Sequence, residues 1–308
     1  MNWKQTLFWS FSAAAIFYYF LLFGVFVFVG QEEMQLFIPE WWYIREFLFQ
    51  PGGFCAVAGQ WIIQYYRQPM SAVVLHTVLL VGCGFMVYRI LRCFSDKTYL
   101  LFLSLLPVLY LVKMSIHGEY LVDGTVGVVL MLLALSVSLK VRRAGSIAGY
   151  GIASTLFLCG LTGLLSVCYA FLYTLLALLR YKTSRQRLAA AACLIPALFI
   201  YLFSGWLGIP VPLSDGWMPE AYLEIQRLPH YYMYRVWTFF TLSIVGVALF
   251  ARFVPVIGEK SKWMDRVALV VCLITALVSI RFCLPEPWHA QRMMLDELSF
   301  LARERQWD

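Results

Sequence analysis

An all-α, polytopic bundle of membrane-spanning helices is the fold class this sequence predicts, on three observations. Hydrophobic residues make up 62% of the 308-residue chain and charged residues 13%, where a soluble domain carries roughly 45–50% and about 25%. The mean hydropathy is +0.75, so a water-soluble fold of this size would be left with a very large exposed apolar surface. The charges that do occur stand in short clusters between long apolar runs, the pattern of loop charges that set membrane orientation. That pattern, and not nucleic-acid binding, accounts for the net charge of +7.

A span needs about 20 apolar residues at 1.5 Å rise each. The first run, residues 7–30, has no charge at all. Ala13-Ala14-Ala15 supplies the small residues of a signal-peptide cleavage site, but the apolar run continues well past them and reads as a retained anchor. The following runs are 71–91, 98–112, 126–139, 146–161, 165–179, 188–208, 236–253 and 267–284. Residues 146–179 form either two short helices around Gly160-Leu161-Thr162-Gly163 or one long tilted helix. Charge favours two, because the basic loops 140–143 and 180–187 both belong on one side, which takes an even number of crossings. Pro107 and Pro196 fall inside spans three and seven and predict kinks, and broken helices of this kind line cavities. Gly145-Ser146-Ile147-Ala148-Gly149 matches the small-xxx-small packing pattern.

Counting alternate loops orients the bundle. Fifteen of the 24 basic residues, from Lys4 through Arg89, Arg142 and Arg187 to Arg266, fall on one side. The acids Asp96, Glu259 and Asp265 accompany them and leave 14 of the 17 for the other side. The positive-inside rule then predicts nine spans, with the amino terminus inside and the carboxyl terminus outside, in a bacterial inner membrane. Trp41, Trp42, Tyr43, Trp61, Tyr65 and Tyr66 flank the first outer loop, and Tyr231, Tyr232, Tyr234 and Trp237 the entry to span eight, as headgroup-level aromatic belts do. Residues 1–290 thus form the transmembrane domain, with its first outer loop at 31–70, and 291–308 open a periplasmic helical segment.

The cysteines show no metal-binding spacing. Those inside apolar runs act as small hydrophobes, while Cys55 and Cys283, both placed outside, are candidates for pairing in an oxidising compartment.

The first outer loop is not merely polar. Met34, Leu36, Phe37, Trp41, Ile44, Phe47 and Leu48 recur at roughly helical spacing with Glu33, Glu40 and Arg45 between them. Pro51-Gly52-Gly53 then breaks the helix, and an aromatic helix follows from Phe54 to Arg67. Both are expected to lie amphipathically in the membrane interface. His117, Glu119 and Asp123 stand between spans three and four, with Glu119 and Asp123 four apart and so on one helical face.

Oxygen and imidazole ligands of this kind suit a divalent cation, Mg²⁺ or Mn²⁺, and His117, Glu119 and Asp123 are the candidate ligands. Glu32 and Glu33, adjacent acids at a membrane exit, are the candidate catalytic pair, one of them a general base. Arg45, Lys113, Arg227 and Arg235 are the outer cations available to a lipid phosphate. The competing account is that these acids complete the charge asymmetry and cap helix ends. His76, within span two, is an intramembrane ionisable group. Its expected state is a neutral imidazole bonded to a neighbouring helix carbonyl.

The stretches Glu32 to Phe37 and Phe47 to Tyr66, "EEMQLF" and "FLFQPGGFCAVAGQWIIQYY", resemble those of Bacteroidetes-type polytopic inner-membrane proteins known only as a domain of unknown function. Those proteins share an acidic pair or Glu-Gln before a Phe, then an aromatic-Pro-Gly-Gly turn and an aromatic helix, here Glu32, Glu33, Phe37, Pro51, Gly52 and Gly53. The resemblance implies an inner-membrane architecture and no established activity. It extends to residues 295–308, which look like the start of a periplasmic helical domain that this chain lacks. A looser likeness, of layout alone, is to glycosyltransferases that use polyprenyl-phosphate-linked sugars. Two functions are therefore expected: outward-facing glycosyl transfer from a lipid-linked donor in envelope glycoconjugate assembly, or a non-enzymatic scaffold or transport component that recruits periplasmic partners. Membrane lipids are partners in either case.

Overall fold

The computed structural model describes residues 3–34, 37–97, 99–116, 120, 122–163, 165–203, 240–252 and 270, and every regular element among them is helical. In chain order these are α1 (Trp3–Phe23), α2 (Val25–Met34), α3 (Trp41–Leu48), α4 (Gly53–Ile63), a 3-10 turn (Gln64–Arg67), α5 (Pro69–Leu91), α6 (Tyr99–Leu103), α7 (Leu106–Ser115), α8 (Val122–Ser138), α9 (Ala144–Thr162), α10 (Leu165–Arg180), α11 (Ser184–Ala191) and α12 (Leu194–Leu202), followed by α13 (Phe240–Arg252). Trp3–Phe23, Pro69–Leu91, Ala144–Thr162 and Ser184–Leu202 are long and apolar enough to cross a membrane, and Tyr99–Ser115, Val122–Ser138, Leu165–Arg180 and Phe240–Arg252 are shorter apolar helices. These fall on eight of the nine predicted runs. The ninth, 267–284, lies outside the described residues apart from Val270.

Each interruption has a local cause. A Cβ at Gly24 would lie 2.8 Å from a ring carbon of Phe28 and 3.0 Å from the Phe20 carbonyl, so only glycine lets the Phe28 ring fold back over the joint between α1 and α2. Pro107 opens α7, where its missing N–H costs nothing, and the third apolar run accordingly divides into α6 and α7. Pro196 cannot donate to the Ala192 carbonyl. That carbonyl accepts instead from the Ile195 N–H at 3.2 Å, three residues on, and the seventh run divides into α11 and α12.

Residues 146–179 are two helices. Gly163 has φ 62° between α9 and α10, a conformation that glycine adopts without steric cost. A Cβ on Gly151 would meet the Tyr173 ring at 3.1 Å, and Ser154 hydrogen-bonds Tyr169. Position numbers rise along one helix as they fall along the other, so the pair is antiparallel.

The helices pack α1 on α5, α5 on α8, α8 on α9 and α10, and α11 and α12 against α9 and α10. Lipid is as apolar as the side chains, so burial supplies little drive between such helices, and close packing and satisfied polar groups hold them. Ser12, Thr77, Ser115, Thr155, Thr162 and Thr174 each donate to the carbonyl four residues earlier at 2.7–2.9 Å, which hides their hydroxyls from hydrocarbon. Cys55, Cys83 and Cys193 are buried; Cys283, the expected partner of Cys55, lies outside the described residues. Gly145 and Gly149 face open space, so the small-xxx-small motif packs against no helix among the described residues, contrary to expectation.

Charge separates between the two ends of the bundle. At one end Gln5 Nε2 donates to the Tyr88 hydroxyl at 2.9 Å, joining the start of α1 to the end of α5. Tyr181 Oη donates to the Val141 carbonyl at 2.7 Å, and Tyr181 also lies within electrostatic reach of Cys93. This end carries Lys4, Arg89, Arg92 and both basic loops. At the other end Gln31 Nε2 donates to the Tyr120 carbonyl at 2.8 Å and the Gly52 N–H to the Gly160 carbonyl at 3.1 Å. Here lie Glu32, Glu33, Glu40, Glu46 and Asp123.

Candidate functional site

The acidic end is built on the Pro51-Gly52-Gly53 turn. Gly52 takes φ 83°, which L side chains resist. A Cβ on Gly53 would overlap the Phe47 carbonyl, 1.7 Å from its oxygen. The turn therefore folds α4 back directly against the end of α3, and a 2.9 Å hydrogen bond from Tyr43 Oη to Gln60 Oε1 clamps the two helices together. Burial raises the Tyr43 phenol above its ordinary pKa, the Gln60 bond opposes this and the Glu46 charge adds to it.

The two helices then part in character. α3 buries no residue; Trp41, Trp42 and Phe49 are 68%, 61% and 79% exposed. With Arg45 and Glu46 they line a shallow groove of about 370 Å³, in which the Arg45 guanidinium lies over the Phe49 ring at 5.6 Å, within cation–π range. Such exposure is what the expected interfacial helix requires. α4, expected to be a second one, is largely buried instead. It buries Gly53, Cys55, Ala56, Gly59, Gln60 and Ile63 and packs on α8 and α9. The physical reason is Gly59, where a Cβ would lie 2.5 Å from Asp123 Cβ and 2.9 Å from its Cα. A bare glycine admits the backbone of α8 into contact and draws the helix into the bundle.

Beneath α4 lies a buried polar cluster. Tyr66 Oη and His76 Nε2 are 2.6 Å apart, and the imidazole stacks on Phe28 with centroids 4.2 Å apart and planes 9° from parallel. His76 thus bonds a phenol and not the helix carbonyl expected. Burial, and after it the Asp123 charge, holds the Tyr66 phenol well above its ordinary pKa. The Tyr120 and Thr125 hydroxyls pair at 3.1 Å, and Asp123 Oδ1 accepts from the Gly124 N–H at 2.8 Å. Tyr66, expected in the aromatic belt, is fully buried instead because its hydroxyl pairs with His76, and sequence reasoning passed over Gln31, Tyr120 and Gly59. A glutamine or tyrosine closing an apolar run was the available sign, but it resembles an aromatic belt until a partner is seen.

The candidate residues meet different fates. Glu32 is half-buried on α2 beside buried Gln31, and Glu33 follows it on the same helix. Arg45 lines the groove on α3. Lys113 is half-buried near the end of α7. Asp123 is 3% exposed, with one carboxylate oxygen engaged at the start of its own helix. His117, Glu119, Arg227 and Arg235 lie outside the described residues. Among the described residues no three His, Cys, Asp or Glu side chains gather closely enough to hold a metal ion.

Compared with known proteins, the chain matches the model of a family of unknown function, DUF6057, over residues 1–308, and it belongs to that family. The inner-membrane family resemblance carried by Glu32, Glu33 and the Pro-Gly-Gly turn is thereby met at the level of an uncharacterised family. No curated protein matches the chain and no solved structure does. The layout likeness to glycosyltransferases has no support in these comparisons.

Proposed function

We propose that this member of a family of unknown function is a multi-pass protein of the bacterial inner membrane that holds a lipid-linked, phosphate-bearing substrate at its acidic, outward-facing end. The observation that supports this reading most is the exposed α3 helix. Its Trp41, Trp42 and Phe49 suit the headgroup level, and Arg45 beside them suits a phosphate. The end opposite carries the basic loops, and the positive-inside rule assigns those to the cytoplasm.

The reaction that fits such a substrate is glycosyl transfer. Glu32 or Glu33 takes the proton of an acceptor hydroxyl, the hydroxyl oxygen bonds to the anomeric carbon, and the bond from that carbon to the phosphate oxygen breaks. The lipid phosphate leaves with the electron pair, its charge offset by Arg45 and the other outer cations. The scaffold reading draws on a different observation: Gln31 and Tyr66 at this end spend polar atoms on joining separate segments of the chain, and Asp123 spends one on the start of its own helix.

The test is the double variant Glu32→Gln/Glu33→Gln, checked for normal insertion and abundance, with surface glycan as the readout. Transfer predicts loss of the glycan. Wild-type glycan in a correctly inserted double variant removes the catalytic assignment and favours the scaffold.

A further inference from the structure

The opposite end of the bundle carries a feature the proposed function does not use. From Gly124 to Ser214 the sequence contains no Asp or Glu, yet the two loops at this end bring Lys140, Arg142, Arg143, Lys182, Arg185 and Arg187, all exposed. Orienting a membrane protein requires only that such charges lie on one side. Here they are stapled together. Tyr181 Oη donates to the Val141 carbonyl and Gln186 Nε2 to the Arg142 carbonyl, both at 2.7 Å, and Arg187 Nε donates to the Tyr181 carbonyl at 2.8 Å.

No described residue neutralises the patch. Asp96, the one described carboxylate at this end, bridges Arg92 at 2.9 Å. Arg180, at the end of α10, has its Nη1 buried with no hydrogen-bond partner among the described residues, and an unpaired buried donor on a charged group is costly. The amino end of α9 opens at the same place, with Arg143 at its cap position and no side chain capping it, so its first amides and the helix dipole add to the positive potential.

The surface leading away from the patch is apolar. Leu188, Ile195, Phe199 and Leu202 along α11 and α12 are 76%, 71%, 54% and 64% exposed. A nucleic acid or a free anion has no use for such a wall, whereas a lipid with an anionic head and acyl tails uses both parts.

We infer that the joined loops 140–143 and 180–187 form a binding site for the phosphate headgroup of an anionic phospholipid, whose acyl chains lie along α11 and α12. Basic pockets between membrane helices hold such headgroups through contributions from each cation. The inference does not depend on the proposed transfer reaction, which concerns the other end.

The experiment uses the full chain purified in detergent, with native mass spectrometry to count bound dioleoyl phosphatidylglycerol or dioleoyl phosphatidylcholine at equal concentrations. Wild type retains phosphatidylglycerol in preference. Arg142→Gln/Arg185→Gln weakens that retention by roughly tenfold or more, from the loss of two surface cations, while Arg142→Lys/Arg185→Lys keeps it, which also shows that these positions tolerate change. Lys4→Gln/Arg252→Gln, the second at the end of α13 where Phe250 packs on Tyr99 at the start of α6, removes the same charge from the same end outside the site and leaves retention unchanged. Equal retention of both lipids by wild type overturns the inference. So does an equal loss in the Lys4/Arg252 variant, which would reduce the patch to a diffuse field, and so does displacement of the lipid by inorganic phosphate alone, which would make the ligand a free anion.

Discussion

Replacing Gly59 with alanine tests the feature that draws α4 into the bundle. The added Cβ would lie 2.5 Å from Asp123 Cβ, 2.9 Å from its Cα and 3.0 Å from its backbone nitrogen, where ordinary contact is 3.4–4 Å. None of these atoms is the far end of a side chain, so relief requires α4 and α8 to move apart by roughly 1 Å or more. Overpacking of this kind costs about 1–3 kcal/mol, and the shift strains the Tyr43–Gln60 bond one residue along. The control is Gly82→Ala, where a Cβ meets nothing within 4 Å and helix propensity returns about 0.5–1 kcal/mol. Gly59 is helical too and receives the same gain, so Gly59→Ala is expected to fall below Gly82→Ala by about 1–3 kcal/mol. The measurement is unfolding in mixed micelles titrated with SDS, followed by circular dichroism. Equal midpoints for the two variants would refute a backbone contact between α4 and α8.

Three further outcomes follow from the same structure. Tyr66→Phe leaves His76 Nε2 without its bond and is expected to cost about 1–3 kcal/mol; in the same unfolding assay Tyr66→Phe/His76→Phe should cost less than the sum of the single changes, and strict additivity would mean that the pair does not interact. Gly52→Val forces a β-branched side chain to φ 83° and is expected to be less stable than Gly52→Asn by about 1–2 kcal/mol, with trypsin cleavage at Arg45 as a local readout; equal cleavage in the two would count against the turn. Single cysteines at positions 40 and 142 in a cysteine-free background should label with an impermeant maleimide from opposite sides of sealed vesicles, position 40 from the periplasmic side; labelling of both from one side would overturn the charge-based orientation.

Much of this architecture was legible because the bilayer leaves strong marks on a sequence. A helix that crosses it needs about 20 apolar residues, so runs such as 71–91 and 165–179 were found within a few residues of α5 and α10. Proline and glycine act through local sterics, so the breaks at Pro107, Pro196 and Gly163 could be placed in advance, and the clustering of Arg142 and Arg185 at one end followed from counting loops. α3 was legible as an exposed helix because its apolar and polar residues recur at helical spacing, the pattern expected of an interfacial helix.

The fate of α4 was not legible, nor was the partner of His76. Within lipid a helix is apolar on every side, so the pattern that tells core from surface in a soluble protein is absent, and shape chooses the neighbours. By itself, then, the sequence determined that the chain is all-helical with several helices long and apolar enough to cross a membrane, where they break, and that its opposite charges separate. Only the tertiary structure decided that Gly59 admits α8, that Tyr66 and not a carbonyl meets His76, that the Gly145 and Gly149 pair is left facing outward, and that two basic loops 40 residues apart are stapled into one patch. Those choices rest on contacts of a few ångströms between residues distant in the chain, which neither composition nor periodicity encodes.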